Sequence, residues 1–239
     1  MGELILVRHG QASFHDENYD KLSPLGEDQA RLLGRYWARI GFIPNHLFSG
    51  PLARQRRSAE LIAEGFREAG LHVPDLRIVD DLAEMPVEEI GKRFLPQLCM
   101  QDPEMMETMM QFSNAEDRME KERLFQRVFE KVVAMWGDGA FAEADVETWE
   151  TFVGRIGRAI DHVLSHNGGG ERLVVVTSGG PTGVTVQRAL GLDAPTTMNL
   201  MWRIRNASIT EFLFTEGRMT MSSFNAVPHL EDPDFWTYR

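Results

Sequence analysis

Two short apolar runs stand out in the pattern of hydrophobic and polar positions along the chain. Residues 4–7 read Leu-Ile-Leu-Val and residues 173–176 read Leu-Val-Val-Val, each without a polar interruption. Short runs rich in branched side chains are typical of strands that are buried on both faces of a sheet. The first run leads into residues 8–10, Arg-His-Gly, and the second into residues 177–180, Thr-Ser-Gly-Gly. Because open α/β sheets bind ligands beyond the carboxyl ends of their strands, both endings are candidate parts of a site.

Amphipathic segments separate these runs and predict helices. The first follows a Ser23-Pro24 start, ends at a Gly41 cap, and carries apolar residues at helical spacing: Ala30, Leu33, Trp37 and Ile40. Further helices are expected at residues 51–70, 149–166 and 181–191. Further strands are expected at residues 46–50 and, as two or three strands, at 201–225. Residues 77–84 are expected to form another strand and its exit loop. The alternation of strands and helices predicts an α/β fold.

Residues 86–147 interrupt this alternation. Methionine is dense between residues 100 and 119, β-branched residues become rare, and charged residues at helical spacing dominate residues 116–136. The pattern predicts a largely helical insertion into a single domain of residues 1–239. Methionine suits adaptable surfaces as well as cores, so two alternatives stay open. The insertion is either a cap over a substrate or a helical excursion that only packs on the main domain.

Composition excludes some classes of partner. The formal net charge is −11, whereas a protein that binds nucleic acid needs a basic face for the phosphate backbone. The one cysteine, Cys99, cannot form an internal disulfide, which favours a reducing compartment. No apolar run is long enough to span a membrane, and the first strand begins too early to leave room for a signal peptide. We therefore expect a cytoplasmic protein without nucleic-acid or membrane partners; a homodimer stays open.

Four polar clusters offer chemistry that suits a phosphorylated ligand. Arg8 and His9 place a permanent cation beside a nucleophile or base, and Gly10 lets the backbone turn or a ligand approach. Arg54 lies in the first turn of a predicted helix, where backbone N–H groups also attract anions. Glu84 follows a strand, and a carboxyl beside a phosphate tends to keep its proton, as a general acid requires. The glycine turn after Ser178 adds further N–H donors.

Other polar residues have plainer interpretations. Arg56 and Arg57 point away from Arg54 on helical geometry, which favours a solvated face. His162 and His166 have metal-ligand spacing on a predicted helix, but no third ligand is evident, so no metal site is expected.

Taken in order, these motifs resemble those of the histidine phosphatase superfamily, the phosphoglycerate-mutase-like proteins. The resemblance covers most of the chain. It rests on VRHG at residues 7–10, LSPLGEDQA at 22–30, SGPLARQRRSA at 49–59, LAE at 82–84, VVVTSGG at 174–180 and NASITEF at 206–212. It implies a three-layer α/β/α sandwich around a mostly parallel, mixed sheet, and a phosphoryl-transfer enzyme that needs no cofactor.

The resemblance also implies a role for each residue of the site. His9 would attack phosphorus and form a phosphohistidine, and Arg8 and Arg54 would bind the phosphoryl oxygens. Glu84 would protonate the leaving oxygen and then activate water. Further contacts to substrate would come from Gly10, Gln11, His15, Ser178 and Gly179, with Asn18 as the alternative to His15.

One departure from the family pattern bears on activity. The superfamily usually carries a second histidine where this chain has Ser178, and that histidine donates to the phosphoryl group. We expect Ser178 to face the phosphate and to leave a weak phosphomonoesterase acting on a small phosphorylated metabolite. Two alternatives remain: a weakly active or inactive protein that binds a phosphorylated ligand or inorganic phosphate, and a phosphoglycerate mutase. A dinucleotide-binding fold is disfavoured, because no Gly-x-Gly-x-x-Gly follows the first strand.

Overall fold

The computed structural model describes residues 1–13, 20–141 and 145–238. The chain divides into two compact units, one made of Met1–Glu84 with Val153–Arg239 and the other of Met85–Phe152. The larger unit holds one six-stranded sheet, and the smaller unit is helical. Among the described residues, no helix is both long enough and apolar enough to cross a membrane.

A mixed sheet forms the centre of the larger unit. Its strands are β1 (Gly2–Arg8), β2 (His46–Ser49), β3 (Leu76–Ile78), β4 (Arg172–Thr177), β5 (Ile209–Thr215) and β6 (Arg218–Ala226). Across the sheet they lie in the order β3-β2-β4-β1-β5-β6. Strands β1 to β4 are parallel, whereas β5 pairs antiparallel with both β1 and β6. The carboxyl ends of β1, β2 and β4 therefore lie at one edge of the sheet.

Helices cover both faces of this sheet, which confirms the expected three-layer α/β/α architecture. The helices of the chain are α1 (Pro24–Arg39), α2 (Ala53–Glu68), α3 (Val87–Gln101), α4 (Pro103–Asn114), α5 (Arg118–Gly137), α6 (Trp149–Leu164), α7 (Gly179–Leu190) and α8 (Ala194–Met201). Ile5 and Val7 of β1 pack in one core with side chains of α1 and α2. The alternate residues Leu4 and Leu6 are equally buried, and α7 contacts β1. Burial on both faces explains why this strand has no polar alternation.

Helix α1 begins where the sequence predicts. The Ser23 hydroxyl accepts a hydrogen bond from the N–H of Gly26 at 3.0 Å, and Pro24 takes the first helical position. Of the four apolar residues at helical spacing, Ile40 is 54% exposed, because the helix ends at Arg39 and Gly41 then adopts a φ of 71°. The other three, Ala30, Leu33 and Trp37, are buried.

The smaller unit has its own aromatic core. Trp136 of α5 makes edge contacts with Trp149 and Phe152, at ring-centroid distances of 5.5 and 5.7 Å. Its indole N–H donates to the carbonyl of Glu147 at 2.6 Å, so this fully buried side chain leaves no polar atom unpaired. Phe94 and Phe141 stack at 4.6 Å. Residues 85–152 thus bury apolar side chains among themselves.

Several element boundaries differ from the sequence-based expectation. Helix α7 begins at Gly179 rather than at Pro181, so the expected glycine turn is the first turn of the helix. Strand β3 ends at Ile78, and a short 3₁₀ helix, Asp80–Leu82, follows it. Helix α8 precedes β5 and is absent from the prediction, although Asp193 caps it by accepting the N–H of Thr196 at 2.9 Å.

Candidate active site

The candidate residues lie where parallel strands end. His9 directly follows β1, Ser178 directly follows β4, and Arg54 enters helix α2 shortly after β2. Since these three strands are parallel neighbours, their ends share one edge of the sheet. Glu84 follows the 3₁₀ helix after β3. The fold therefore explains why residues far apart in sequence are presented together.

His9 has a defined orientation. Its Nδ1 lies 2.7 Å from the carbonyl oxygen of Gly10, and its Nε2 accepts a hydrogen bond from the Nε–H of Arg54 at 3.2 Å. A carbonyl can only accept and a guanidinium can only donate. The proton of the neutral ring therefore lies on Nδ1, and Nε2 carries the lone pair.

The surroundings of His9 keep its imidazole neutral. Burial lowers the pKa of His9 well below its usual value, and the positive charges of Arg54 and Arg8 lower it further. The hydrogen bond to the Gly10 carbonyl acts in the opposite direction without reversing the shift. At neutral pH the site thus holds a nucleophilic nitrogen next to two cations.

Arg54 is held by a carboxylate that the sequence analysis does not identify. Its guanidinium donates to Asp20 at 2.9 Å, and the carboxylate also accepts the N–H of Ala53 at 2.8 Å. Asp20 thereby satisfies a free N–H at the start of α2 and orients the Arg54 side chain. Arg54 is only 9% exposed, so this pairing also compensates the burial of its charge.

Arg8 and Gly179 lie next to each other. A Cβ built on Gly179 would be 3.9 Å from the guanidinium carbon of Arg8, so the charged group borders the first turn of α7. The Arg8 guanidinium donates to the carbonyl of Ile204. Arg8 therefore has a fixed position beside helix N–H groups, an arrangement that favours an anion.

The carboxyl group of Glu84 also lies at the start of α7. Its two oxygens accept the N–H of Gly180 at 3.1 and 3.2 Å. A helix N-terminus favours negative charge, so α7 positions this side chain. Glu84 and the glycine turn are therefore parts of one arrangement.

Ser178 is fully buried and has a partner inside the protein. Its hydroxyl oxygen accepts a hydrogen bond from the Nε2 amide of Gln55 at 2.8 Å. The same amide lies 3.2 Å from the carbonyl of Leu82, and the other end of the Gln55 carboxamide accepts the N–H of Leu52. Gln55 therefore joins the starts of α2 and α7 and the segment before Glu84.

The remaining predicted residues have structural contacts. A Cβ on Gly10 would lie 2.1 Å from the carbonyl oxygen of Gly26, so glycine is required here for close contact with α1 rather than only for a ligand. The Gln11 side chain accepts from the Ser23 hydroxyl at 2.9 Å. His15 and its alternative Asn18 lie outside the described residues.

Four further residues support the site and escape the sequence analysis: Asp20, Gln29, Gln55 and Asn206. Three of them, Gln29, Gln55 and Asn206, are completely buried. A buried amide must be hydrogen-bonded, but sequence does not reveal to which partner. All three buried amides lie inside the motifs quoted above, so the motifs themselves were the available signal. In the described part of the chain, no cluster of three or more His, Cys, Asp or Glu residues could hold a metal ion.

Comparison with known proteins places the chain in a family. A family model for the histidine phosphatase superfamily (branch 1) matches residues 4–136 and 99–227. The 2,3-bisphosphoglycerate-dependent phosphoglycerate mutase of Thermobifida fusca (strain YX) is 37% identical over 78 residues. That alignment spans only 30% of this chain and 30% of the relative.

Solved structures with the same fold include enzymes of two kinds. A phosphoserine phosphatase mutant from Entamoeba histolytica, in complex with phosphoserine, has a TM-score of 0.61 at 18% identity, covering 96% of this chain and 100% of that chain. A phosphoglycerate mutase from Bacillus anthracis str. Sterne has a TM-score of 0.62 at 19% identity, covering 96% and 95%. At these identities the likeness concerns the fold alone.

Proposed function

The chain belongs to the histidine phosphatase superfamily (branch 1), and we propose that it is a phosphomonoesterase that acts through a phosphohistidine on a small phosphorylated metabolite. The state of His9 carries the proposal. Its ring is neutral, its Nε2 has a lone pair, and the Arg54 guanidinium lies 3.2 Å from that nitrogen. A nucleophile beside cations suits the attack on a phosphoryl group, whose oxygens need positive partners.

In the proposed first half-reaction, the Nε2 lone pair of His9 attacks phosphorus and the bond to the leaving oxygen breaks. The leaving oxygen takes the proton of the Glu84 carboxyl group. The Nε–H of Arg54 then turns from Nε2 to a phosphoryl oxygen, while Arg8 and the N–H groups of the first α7 turn bind the others.

In the second half-reaction, water attacks the phosphohistidine. The Glu84 carboxylate takes a proton from this water, and the bond between phosphorus and Nε2 breaks, which releases inorganic phosphate and regenerates His9. The hydrogen bond between Nδ1 and the Gly10 carbonyl keeps the same nitrogen available in each cycle. Among the alternatives, a mutase would return the phosphoryl group to a substrate instead of to water.

A screen of phosphorylated metabolites for phosphate release tests the proposal and begins to identify the substrate. Rapid quenching of a labelled substrate, without acid, is expected to trap label on His9. The His9→Ala variant is expected to lose both the label and turnover, whereas His72→Ala, at an exposed histidine, should retain them. Full turnover by His9→Ala would contradict the proposal, and so would binding of inorganic phosphate with no release from any phosphomonoester.

A further inference from the structure

The backbone carbonyl of His9 accepts hydrogen bonds from two donors on one loop. The N–H of Ala207 donates at 3.2 Å and the Nδ2 amide of Asn206 at 3.3 Å. Ala207 has a φ of 54°, in the left-handed region that residues other than glycine rarely adopt. Backbone strain of this kind persists only where the surroundings fix it. The same loop accepts the Arg8 guanidinium at Ile204, so it contacts both halves of the Arg8-His9 pair.

The C-terminal strap, defined as residues 232–238, holds this loop. The Thr237 carbonyl accepts the backbone N–H of Asn206 at 2.8 Å, and the Thr237 hydroxyl donates to the Asn206 Oδ1 at 2.9 Å. The hydroxyl itself accepts from the Nε2 of Gln29 at 2.9 Å. The carbonyl and the hydroxyl of Thr237 thus both form hydrogen bonds with residues that are completely buried.

Two aromatic side chains of the strap reinforce this attachment. The guanidinium of Arg205 lies 5.1 Å from the ring centroid of Trp236 and 5.5 Å from that of Tyr238. Cation–π contacts at these distances are attractive. Arg205 immediately precedes Asn206, so the neighbours of Thr237 on both sides contact the same loop that Thr237 binds.

The Thr237 hydroxyl supports the orientation of the Asn206 carboxamide that the His9 carbonyl requires. The His9 carbonyl can only accept, so Asn206 must present its nitrogen to it and its oxygen elsewhere. The hydroxyl donates to that oxygen and keeps this orientation. Without the hydroxyl, the Asn206 oxygen loses this donor and the carboxamide is held less firmly. A turned carboxamide would place its oxygen against the His9 carbonyl, which would lose one of its two hydrogen-bond donors.

We propose that Thr237 is a positioning residue for His9, which it fixes through Asn206 from a segment far away in sequence. The Thr237 hydroxyl bonds to the side chains of Asn206 and Gln29, so its effect concerns the orientation of the nucleophile. We therefore expect turnover to depend on this hydroxyl while substrate affinity does not. This inference rests on the proposed function, because it assigns Thr237 a part in the reaction of His9.

Two substitutions at one position and one matched control test it. Thr237→Val removes the hydroxyl and keeps the shape and the backbone carbonyl, whereas Thr237→Ser keeps the hydroxyl. Loss of the hydrogen bond between the Thr237 hydroxyl and Asn206 corresponds to about a five- to tenfold fall in kcat for Thr237→Val, with KM unchanged. Thr237→Ser and the exposed control Thr215→Val are expected to turn over like the parent protein.

A wild-type kcat for Thr237→Val, or an equal loss in Thr237→Ser, would overturn the inference. If the parent protein hydrolyses no phosphomonoester, the proposed function fails. Amide hydrogen exchange then measures, without any activity, whether Thr237 holds the loop against His9. The N–H of Ala207, which donates to His9, is expected to exchange faster in Thr237→Val than in Thr237→Ser or Thr215→Val. Equal exchange in all three variants would overturn the inference independently of activity.

Discussion

The space around Ser178 bears on the expectation, drawn above from the family resemblance, that a histidine could stand at this position. The Ser178 hydroxyl is completely buried and lies 2.8 Å from the amide nitrogen of Gln55. An imidazole grown along the same side-chain direction would overlap the Gln55 carboxamide. The long side chain of Gln55 and the short side chain of Ser178 therefore fill one space together.

We expect Ser178→His to destabilise the protein, because overpacking a buried site costs about 1–3 kcal/mol. Adding Gln55→Ala should remove the overlap and recover part of that loss. Chemical denaturation of the parent, both single variants and the double variant gives the coupling energy, expected at about 1 kcal/mol or more in favour of the double variant. Strictly additive effects would mean that the two side chains do not compete for this space.

The chemistry of single residues was readable from sequence where a motif adjoins a strand end. Arg8 and His9 follow an apolar run, and Arg54 lies in the first turn of the helix after the next strand. The partners of these residues could not be predicted. Asp20, which binds Arg54, and Thr237, which binds Asn206, lie in segments without periodic pattern, and long-range hydrogen bonds leave no local signal. His9 could be proposed as a nucleophile, but its tautomer required the Gly10 carbonyl.

At the scale of elements, the strong periodic signals were correct, and so was the short strand β2, whereas one short helix was missed. The buried strands β1 and β4 were predicted because their apolar runs have no polar interruption, and helix α1 was predicted because its periodicity and its cap are explicit. Helix α8 was missed since it spans only eight residues. Residues 77–84 were expected to hold a strand and its exit loop, and β3 ends at Ile78 within that segment. The glycine turn was placed outside α7, although glycines with ordinary helical φ can form the first turn.

The methionines of the smaller unit differ in their surroundings, and the two environments that the sequence left open both occur. Met105 is 2% exposed, whereas its neighbour Met106 is 40% exposed. Both lie on α4, which packs against α5. Met105 is therefore part of a core. A role of the helical unit in selecting the substrate stays a prediction.

Met105→Ala should lower the free energy of unfolding by about 2–5 kcal/mol, because truncating a buried methionine leaves a cavity. Met106→Ala, the matched control one residue further along the same helix, should change it by less than about 0.5 kcal/mol. Thermal and chemical denaturation of both variants measure the difference. Equal effects of the two substitutions would show that α4 does not bury Met105 in solution.

For the whole molecule, two buried histidines link folding to pH. His229 is 6% exposed, neither of its ring nitrogens has a hydrogen-bond partner among the described residues, and burial lowers its pKa to about 3. The pKa of His9 is lowered as well, chiefly by burial. Both imidazoles bind a proton more readily in the unfolded chain, where the usual value is 6.5.

The sign of the effect follows from this difference in proton binding. Between pH 6.5 and about 3, the unfolded state binds a proton at residue 229 that the folded state does not bind, so stability falls as the pH falls. Above pH 6.5 both states are neutral and the contribution vanishes. Carboxyl groups with lowered pKa values, such as Glu68 and Asp193, add a loss of the same sign at lower pH.

His229→Leu should remove the histidine part of this dependence without touching the carboxyl groups. At pH 5, protonation of a free histidine in the unfolded chain corresponds to about 2 kcal/mol, so the variant should gain about that much relative to the parent between pH 7.5 and pH 5. Urea denaturation at the two pH values, with the exposed histidine variant His72→Leu as control, measures the difference. His9 and the carboxyl groups are common to all three proteins and cancel in the comparison. If His229→Leu and the parent protein lose the same stability on acidification, the imidazole of His229 takes up its proton in the folded state as readily as in the unfolded chain.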